Sequence, residues 1–308
     1  MPWVQVGEVE LCYEREGDRH DPVVLLVNGL GGQLVDWDEG FRRALVEQGF
    51  SVLRFDNRDA GLSSAVEDGP AFDLAAGLAQ DRSAAAYTLD DMADDAAGLL
   101  EALGIEAAHV VGVSMGGMIA QMVAARYPGR VRSLCSIMST TGAPDAGTPS
   151  PEAMAVLLRP PARGREEYVA AELEAARVIG SPGFPFDEER IRRRAEAAYD
   201  RSFRPAGVGR QLMAIMVSGD RTAALRTITA PTVVVHGAAD PLVPPSGGQA
   251  TAAAIAGAEL RIVEGMGHDL PPQLWPDLVA VIAANAARPH CTAPLLDAPS
   301  PVVRGGGQ

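Results

Sequence analysis

The chain has 308 residues, 47% of them hydrophobic, which is enough apolar side-chain volume to build a sizeable core in one large or two ordinary domains. Its formal charge is −14, from 40 acidic against 26 basic residues, and such a surface repels phosphate backbones and anionic lipid headgroups; this argues against nucleic-acid or membrane partners. Cys12, Cys135 and Cys291 are too few and too scattered for a disulfide framework or a metal-ligand cluster, so no metal site is expected from them and free thiols in a reducing compartment are.

The start, MPWVQVGEVELCYE, lacks a basic segment followed by an apolar one, and no apolar run of about 18 residues occurs, so a cytoplasmic protein without membrane insertion is expected. Residues 4–14 alternate as a strand pair does, and PVVLLVNG (22–29) is a short apolar run ending at glycine, as a buried strand does. A glycine-rich loop follows. DEGFRRALVEQ (38–48) has helical spacing and stops at Gly49, after which SVLRFD (51–56) reads as the next strand. TLDDMADDAAGLLEALG (88–104) opens with a threonine cap and an acidic first turn, keeps apolar residues on one face and ends in glycine. HVVGVS (109–114) and VRSLCSI (131–137) read as strands flanking a helix over 116–127, with further strands over 232–236 and 259–263 and a closing helix over 272–287. Short apolar strands alternating with helices predict an α/β fold with a mostly parallel sheet covered on both faces.

That alternation breaks over 142–222, where helix-like pieces such as REEYVAAELEAARVI (165–179) and DEERIRRRAEAAYDRSF (187–203) stand between prolines and glycines. This stretch reads as a helical insertion roofing the strand ends, which divides the chain into a core (1–141 and 223–287) and a cap (142–222). Residues 288–308, with four prolines and three consecutive glycines, read as a flexible tail.

GVSMG (112–116) fits G-x-S-x-G in a strand, turn and helix context, where two glycines let the backbones approach and a strained turn presents the Ser114 hydroxyl beside a helix N-terminus. A serine hydroxyl needs a base, which in practice is a histidine. Among the five histidines, His20 and His290 read as solvated, His109 opens the wrong end of the serine's own strand, and His236 reads as a structural partner of loop backbone. His268, in the glycine-rich loop after the last strand, sits at the right end of the sheet. Asp240, four residues beyond a strand in HGAADPLVPP, supplies a carboxylate to orient it, and the order Ser114, Asp240, His268 is that of nucleophile-elbow hydrolases. Two backbone amides remain to be found for an oxyanion: the N–H of Met115, and that of Leu30 in VNGLGGQLVDW.

On VNGLGG, RFDNRDAGLSS, VVGVSMGG, PTVVVHGAADPLVP and VEGMGHDLP the chain resembles the α/β-hydrolase fold family over residues 4–287, and within it a serine esterase branch like the anthracycline (aclacinomycin) methylesterases and mycobacterial carboxylesterases. The resemblance implies an eight-stranded sheet, an inserted helical cap and a cofactor-free Ser/His/acid mechanism on a small-molecule ester. Asn28 stands where many members have histidine, which leaves open how the oxyanion loop is braced, and Arg58 and Asp59 read as a loop-bracing pair. Leu157, Met213 and Met216 are candidate pocket-lining residues. Thioester, C–C bond or perhydrolytic chemistry on the same triad, and a ligand-binding receptor of low turnover, are the alternative readings; a homo-oligomer is neither required nor excluded.

Overall fold

Strands form where the apolar runs lie, and their alternation decides which helical layer each side chain meets. In the computed structural model, which describes residues 1–289, the strands are β1 (Trp3–Val6), β2 (Val9–Glu16), β3 (Val23–Val27), β4 (Ser51–Phe55), β5 (Ala108–Val113), β6 (Val131–Ile137), β7 (Thr232–Gly237) and β8 (Glu259–Val263). The helices are α1 (Glu39–Glu47), α2 (Leu74–Leu78), α3 (Leu89–Ala102), α4 (Met115–Arg126), α5 (Pro151–Leu157), α6 (Arg165–Ile179), α7 (Glu188–Arg201), α8 (Pro205–Ser218), α9 (Thr222–Leu225), α10 (Pro245–Ala254) and α11 (Trp275–Ala286). The single sheet has the order β1-β2-β4-β3-β5-β6-β7-β8; β1 and β2 join it antiparallel and the rest run parallel.

All five residues of β3 are buried, as the unbroken run VVLLV requires of a central strand. Val23, Leu25 and Val27 enter the core shared with α3 and α4, where they meet Leu99 and Ile119, whereas Val24 and Leu26 enter the opposite core with Phe41 of α1 and Ile282 of α11. Each such fully buried Leu contributes about 2 kcal/mol of transfer free energy. Helix α3 begins where Thr88 and Asp91 form a reciprocal capping box, and its buried face runs through Leu89, Met92, Ala96 and Leu99.

Helix α10 has no counterpart in the sequence reading, because PPSGGQ carries little helical propensity. Pro245 presets its first turn, and two glycines are demanded by packing: a Cβ on Gly248 would lie 2.5 Å from His236 Nδ1, and one on Gly247 3.0 Å from the Ser139 carbonyl. Helices α5 to α8 stand between β6 and β7, with Val169 and Leu173 of α6 packed on Ile191 and Ala195 of α7 in a small core of their own. The expected tail, with His290 and Cys291, lies outside the described residues apart from its first two positions.

Candidate active site

From β3 the chain moves to one side of the sheet to form β4, then returns to place β5 on β3's other side. A crevice therefore opens at the carboxyl ends of β3 and β5, where the two directions of winding diverge and where α/β sheets hold ligands. The loop after β3 and the turn after β5 flank it.

That second turn is one residue long. Ser114 has φ 54° and ψ −121°, a left-handed conformation that costs a non-glycine residue about 1–3 kcal/mol. Its surroundings enforce it: the Ser114 N–H donates to the Ile137 carbonyl at 2.9 Å, and the Ser139 hydroxyl donates to the Ser114 carbonyl at 2.9 Å. The flanking glycines allow the strand and helix to touch. A Cβ on Gly112 would lie 2.1 Å from the Gly116 carbonyl oxygen, and one on Gly116 2.1 Å from that of Val27.

The three residues singled out for nucleophilic chemistry meet here, although 154 positions separate the first from the last. His268 Nε2 lies 2.9 Å from Ser114 Oγ, and its Nδ1 lies 2.7 Å from Asp240 Oδ2. The Asp240 side chain is fully buried, and its other oxygen accepts the N–H groups of Leu242 and Val243, both at 2.9 Å. The turn after β7 thus fixes the carboxylate, which in turn fixes the imidazole with Nδ1 as donor and Nε2 as acceptor for the serine hydroxyl. The histidine loop is itself tied to the end of α6: the His268 N–H donates to the Ile179 carbonyl at 2.6 Å, and the Gly183 N–H to that of Gly265 at 2.9 Å. That seam is closely fitted, since a Cβ on Gly183 would lie 2.6 Å from the Gly265 Cα.

His236 is fully buried, donates through Nε2 to the Val243 carbonyl at 2.6 Å, and is pushed toward the neutral form by burial. His109 Nδ1 sits 2.8 Å from the Ser133 hydroxyl at the far end of β5. Neither touches Ser114.

The loop after β3 lies beside the serine. The Gly32 N–H donates to the Gly29 carbonyl at 3.1 Å, closing a turn over 29–32 in which Gly31 has φ 68°. A trans peptide points its N–H opposite its C=O, so the Leu30 N–H faces out of this turn. Gly29 is packed on the serine, with a Cβ there lying 3.3 Å from Ser114 Cβ. The Met115 N–H opens α4 and belongs to the first-turn amides that find no acceptor within a helix.

Sequence reasoning missed the residues that brace this loop. Asp56 accepts the Leu34 N–H at 2.7 Å and the Leu62 N–H at 2.9 Å; Gln33 donates to the Ala198 and Ser202 carbonyls at 2.8 and 2.9 Å; Gln211 accepts the Gly31 N–H at 2.8 Å. Asn28 contributes its carbonyl, which accepts from Asn57 Nδ2 at 3.1 Å, while its own Nδ2 is buried without a hydrogen-bond partner among the described residues. None of these braces leaves a local pattern in the sequence.

Ser114 and His268 open onto a cavity of about 860 Å3, walled below by the loops of the strand ends and above by α5 to α8. Leu157 lines it. Met213 and Met216 do not, which corrects the expectation for both: α8 turns Val208 and Leu212 to the cavity, leaving Met213 buried on another face and Met216 against Gly77 of α2, where a Cβ would come within 2.7 Å of its sulfur. Leu157→Trp is therefore expected to raise KM for a bulky ester about tenfold, as one to two kcal/mol of pocket contact is replaced by overlap, while Met216→Leu leaves KM unchanged. Steady-state kinetics on a naphthyl ester check both.

Arg58 and Asp59 do not pair with each other. Arg58 makes a two-pronged bond to Asp95 of α3 at 2.6 and 2.7 Å, and Asp59 receives Arg210 of α8 at 2.7 and 2.8 Å and the Tyr87 hydroxyl at 2.7 Å. Burial opposes ionisation of Asp59, but the bonds from Arg210, Tyr87 and the Val66 N–H outweigh it and hold the carboxyl below the usual aspartate range. Its stabilising contribution is then complete above the unfolded-state value of about 3.9 and is lost as pH falls through the lower folded value. The gap in Tm between the wild type and Asp59→Asn is expected to stay constant from pH 7 to 5 and to narrow below 4 in a pH series of melting curves.

A sheet of this order, a serine held in a strained strand-to-helix turn and a histidine loop after the last strand define an α/β hydrolase, and the chain belongs to the α/β hydrolase fold family, whose model matches residues 22–272. Its relatives include the rhodomycin D methylesterases DauP of Streptomyces sp. (strain C5) and DnrP of Streptomyces peucetius, each 31% identical over 90% of this chain and 95% of the relative. Among solved structures, the enol-lactonase of Burkholderia xenovorans LB400 superposes with a TM-score of 0.72 at 25% identity, covering 93% of this chain and all of that one. Among the described residues no helix is long and apolar enough to cross a membrane.

Proposed function

We propose that the protein is a carboxylic ester hydrolase that works through an acyl-enzyme intermediate on a small-molecule substrate. The hydrogen-bonded series Ser114, His268, Asp240, at 2.9 and 2.7 Å and open to the cavity, carries this reading. Ser114 Oγ attacks the ester carbonyl carbon as His268 Nε2 takes its proton; Asp240 holds the ring and stabilises the imidazolium. The amides of Leu30 and Met115 donate to the oxyanion. Collapse of the tetrahedral intermediate expels the alkoxide, which takes the proton from His268; a water deprotonated by the same histidine then attacks the acyl-enzyme, releasing the acid and restoring Ser114.

In this reading residues 142–222 act as a cap over a core of 1–141 and 223–287, and the cap's helices set specificity. The cavity volume lies near the upper end for small-molecule sites, which favours a bulky substrate, and methyl-ester hydrolysis by the two methylesterase relatives supports ester over thioester or C–C cleavage. A fluorophosphonate label tests the class: covalent modification confined to Ser114 is expected, and folded protein that stays unlabelled would instead be a receptor. An ester panel that includes methyl esters of bulky aromatic acids then ranks substrates.

A further inference from the structure

We propose that Gln211 is a positioning residue for the oxyanion loop: its carboxamide, carried on α8, anchors the 29–32 turn and so holds the Leu30 amide in place beside Ser114. The oxyanion hole is then complete only while α8 is seated. This rests on the ester-hydrolase reading and adds to it a coupling between the helical roof and the chemistry.

The 29–32 turn is type II, since Gly31 has φ 68° whereas Leu30 is not among the residues of positive φ. Types I and II differ by a flip of the central peptide, here Leu30–Gly31. In the observed form the N–H of that peptide donates to Gln211 Oε1 at 2.8 Å. Flipped, it would turn the Leu30 carbonyl toward the same oxygen, setting acceptor against acceptor; the flip leaves the Gly29–Leu30 peptide unturned, so what the bond from Gly31 fixes for the Leu30 N–H is the position of the turn that carries it. Gln211 itself has no freedom to adapt: it is fully buried, and its Nε2 donates to the Arg58 carbonyl at 2.8 Å, which fixes which end of the amide faces Gly31.

Helix α8 is in turn seated by contacts that do not involve the loop. Gly207 lies so close to the Asp59 backbone that a Cβ would fall 2.1 Å from its carbonyl oxygen, and Arg210 is bonded to the Asp59 carboxylate. Val208 touches Gly31 directly, a Cβ there lying 3.0 Å from its Cγ2. Lifting α8 would remove Val208 and Gln211 from the turn together.

The test compares Gln211→Met, which leaves the Gly31 N–H without an acceptor, with Gln211→Glu, whose protonated carboxyl keeps an acceptor for Gly31 and a donor for the Arg58 carbonyl, and Ile282→Val, which thins the opposite core without touching α8 or the 29–32 turn. With p-nitrophenyl butyrate, Gln211→Met is expected to lower kcat about 10- to 100-fold with KM within about threefold, Gln211→Glu to recover most of that loss, and Ile282→Val to keep kcat near wild type despite a lower Tm. Inhibition by a trifluoromethyl ketone, whose hemiketal oxygen occupies the hole, should weaken in step with kcat. If Gln211→Met precipitates, Gln211→Asn, one methylene too short to reach Gly31, gives the same readout. Unchanged kcat in Gln211→Met, or an equal loss in Ile282→Val, would overturn the assignment while the wild type still hydrolyses esters. A wild type that neither hydrolyses them nor is labelled at Ser114 would sink the ester-hydrolase reading itself.

Discussion

Replacing Ser114 with alanine is expected to lower kcat on p-nitrophenyl butyrate by about 10^4- to 10^6-fold, with little change in KM or Tm. The hydroxyl is one atom in a cavity that holds the substrate by many other contacts, so removing it abolishes the acyl-enzyme and spares binding. His268→Ala should cost about as much, and the double variant scarcely more, because nucleophile and base act in one proton transfer. Asp240→Asn is more instructive. The side-chain shape is kept, and its Oδ1 can still accept from Leu242 and Val243, but that places an NH2 group against His268 Nδ1 at the 2.7 Å contact. The ring then carries its proton on Nε2, facing Ser114, and the loss is expected to reach about 10^4-fold. Single-turnover measurement of the acyl burst separates these losses from any slower product release; Ser114→Ala hydrolysing at the wild-type rate would remove the serine from the mechanism.

The second large effect concerns folding. Gly116→Ala is expected to destabilise the protein by about 3 kcal/mol and to reduce kcat as well, because the added methyl would sit 2.1 Å from the Val27 carbonyl oxygen and 2.5 Å from that of Asn28. Both neighbours are backbone, so relief comes only from moving α4 or the end of β3. Either shift changes the distance between the amides flanking the serine. Gly129→Ala, where nothing lies within 4 Å, is the control and should leave Tm unchanged. Urea unfolding of the two variants beside wild type measures the difference.

The strands, and the three side chains that converge beside the cavity, could be read from the sequence because both rest on local patterns. Short segments rich in Val, Leu and Ile define β3, β5, β6 and β7, and the glycines around Ser114, Asp240 and His268 mark loops that must lie at strand ends. The helical roof was legible only as an interruption. Which face α8 turns inward could not be derived, since PAGVGRQLMAIMVS offers apolar residues all round and the choice is made by Gly207 against Asp59 and Arg210 in its ion pair. Met213 and Met216 were misassigned for that reason. The braces that tie Leu34 to Asp56, Gln33 to Ala198 and Gly31 to Gln211 join residues 22, 165 and 180 positions apart and have no periodic or compositional signature. Likewise Arg58 and Asp59, adjacent in the chain, point to α3 and α8 and are held there by partners that only the fold supplies.

The tie between the histidine loop and the exit of α6 bears on how new specificities can be engineered. Because the Ile179 carbonyl holds the His268 amide and Gly183 meets Gly265 backbone to backbone, transplanting a whole roof from a homologue would also redraw the seat of His268. Chimeras cut at the β6 and β7 junctions should accordingly lose turnover even when they fold, whereas side-chain libraries at Leu157 and Leu212 alter the walls and leave the imidazole where it is.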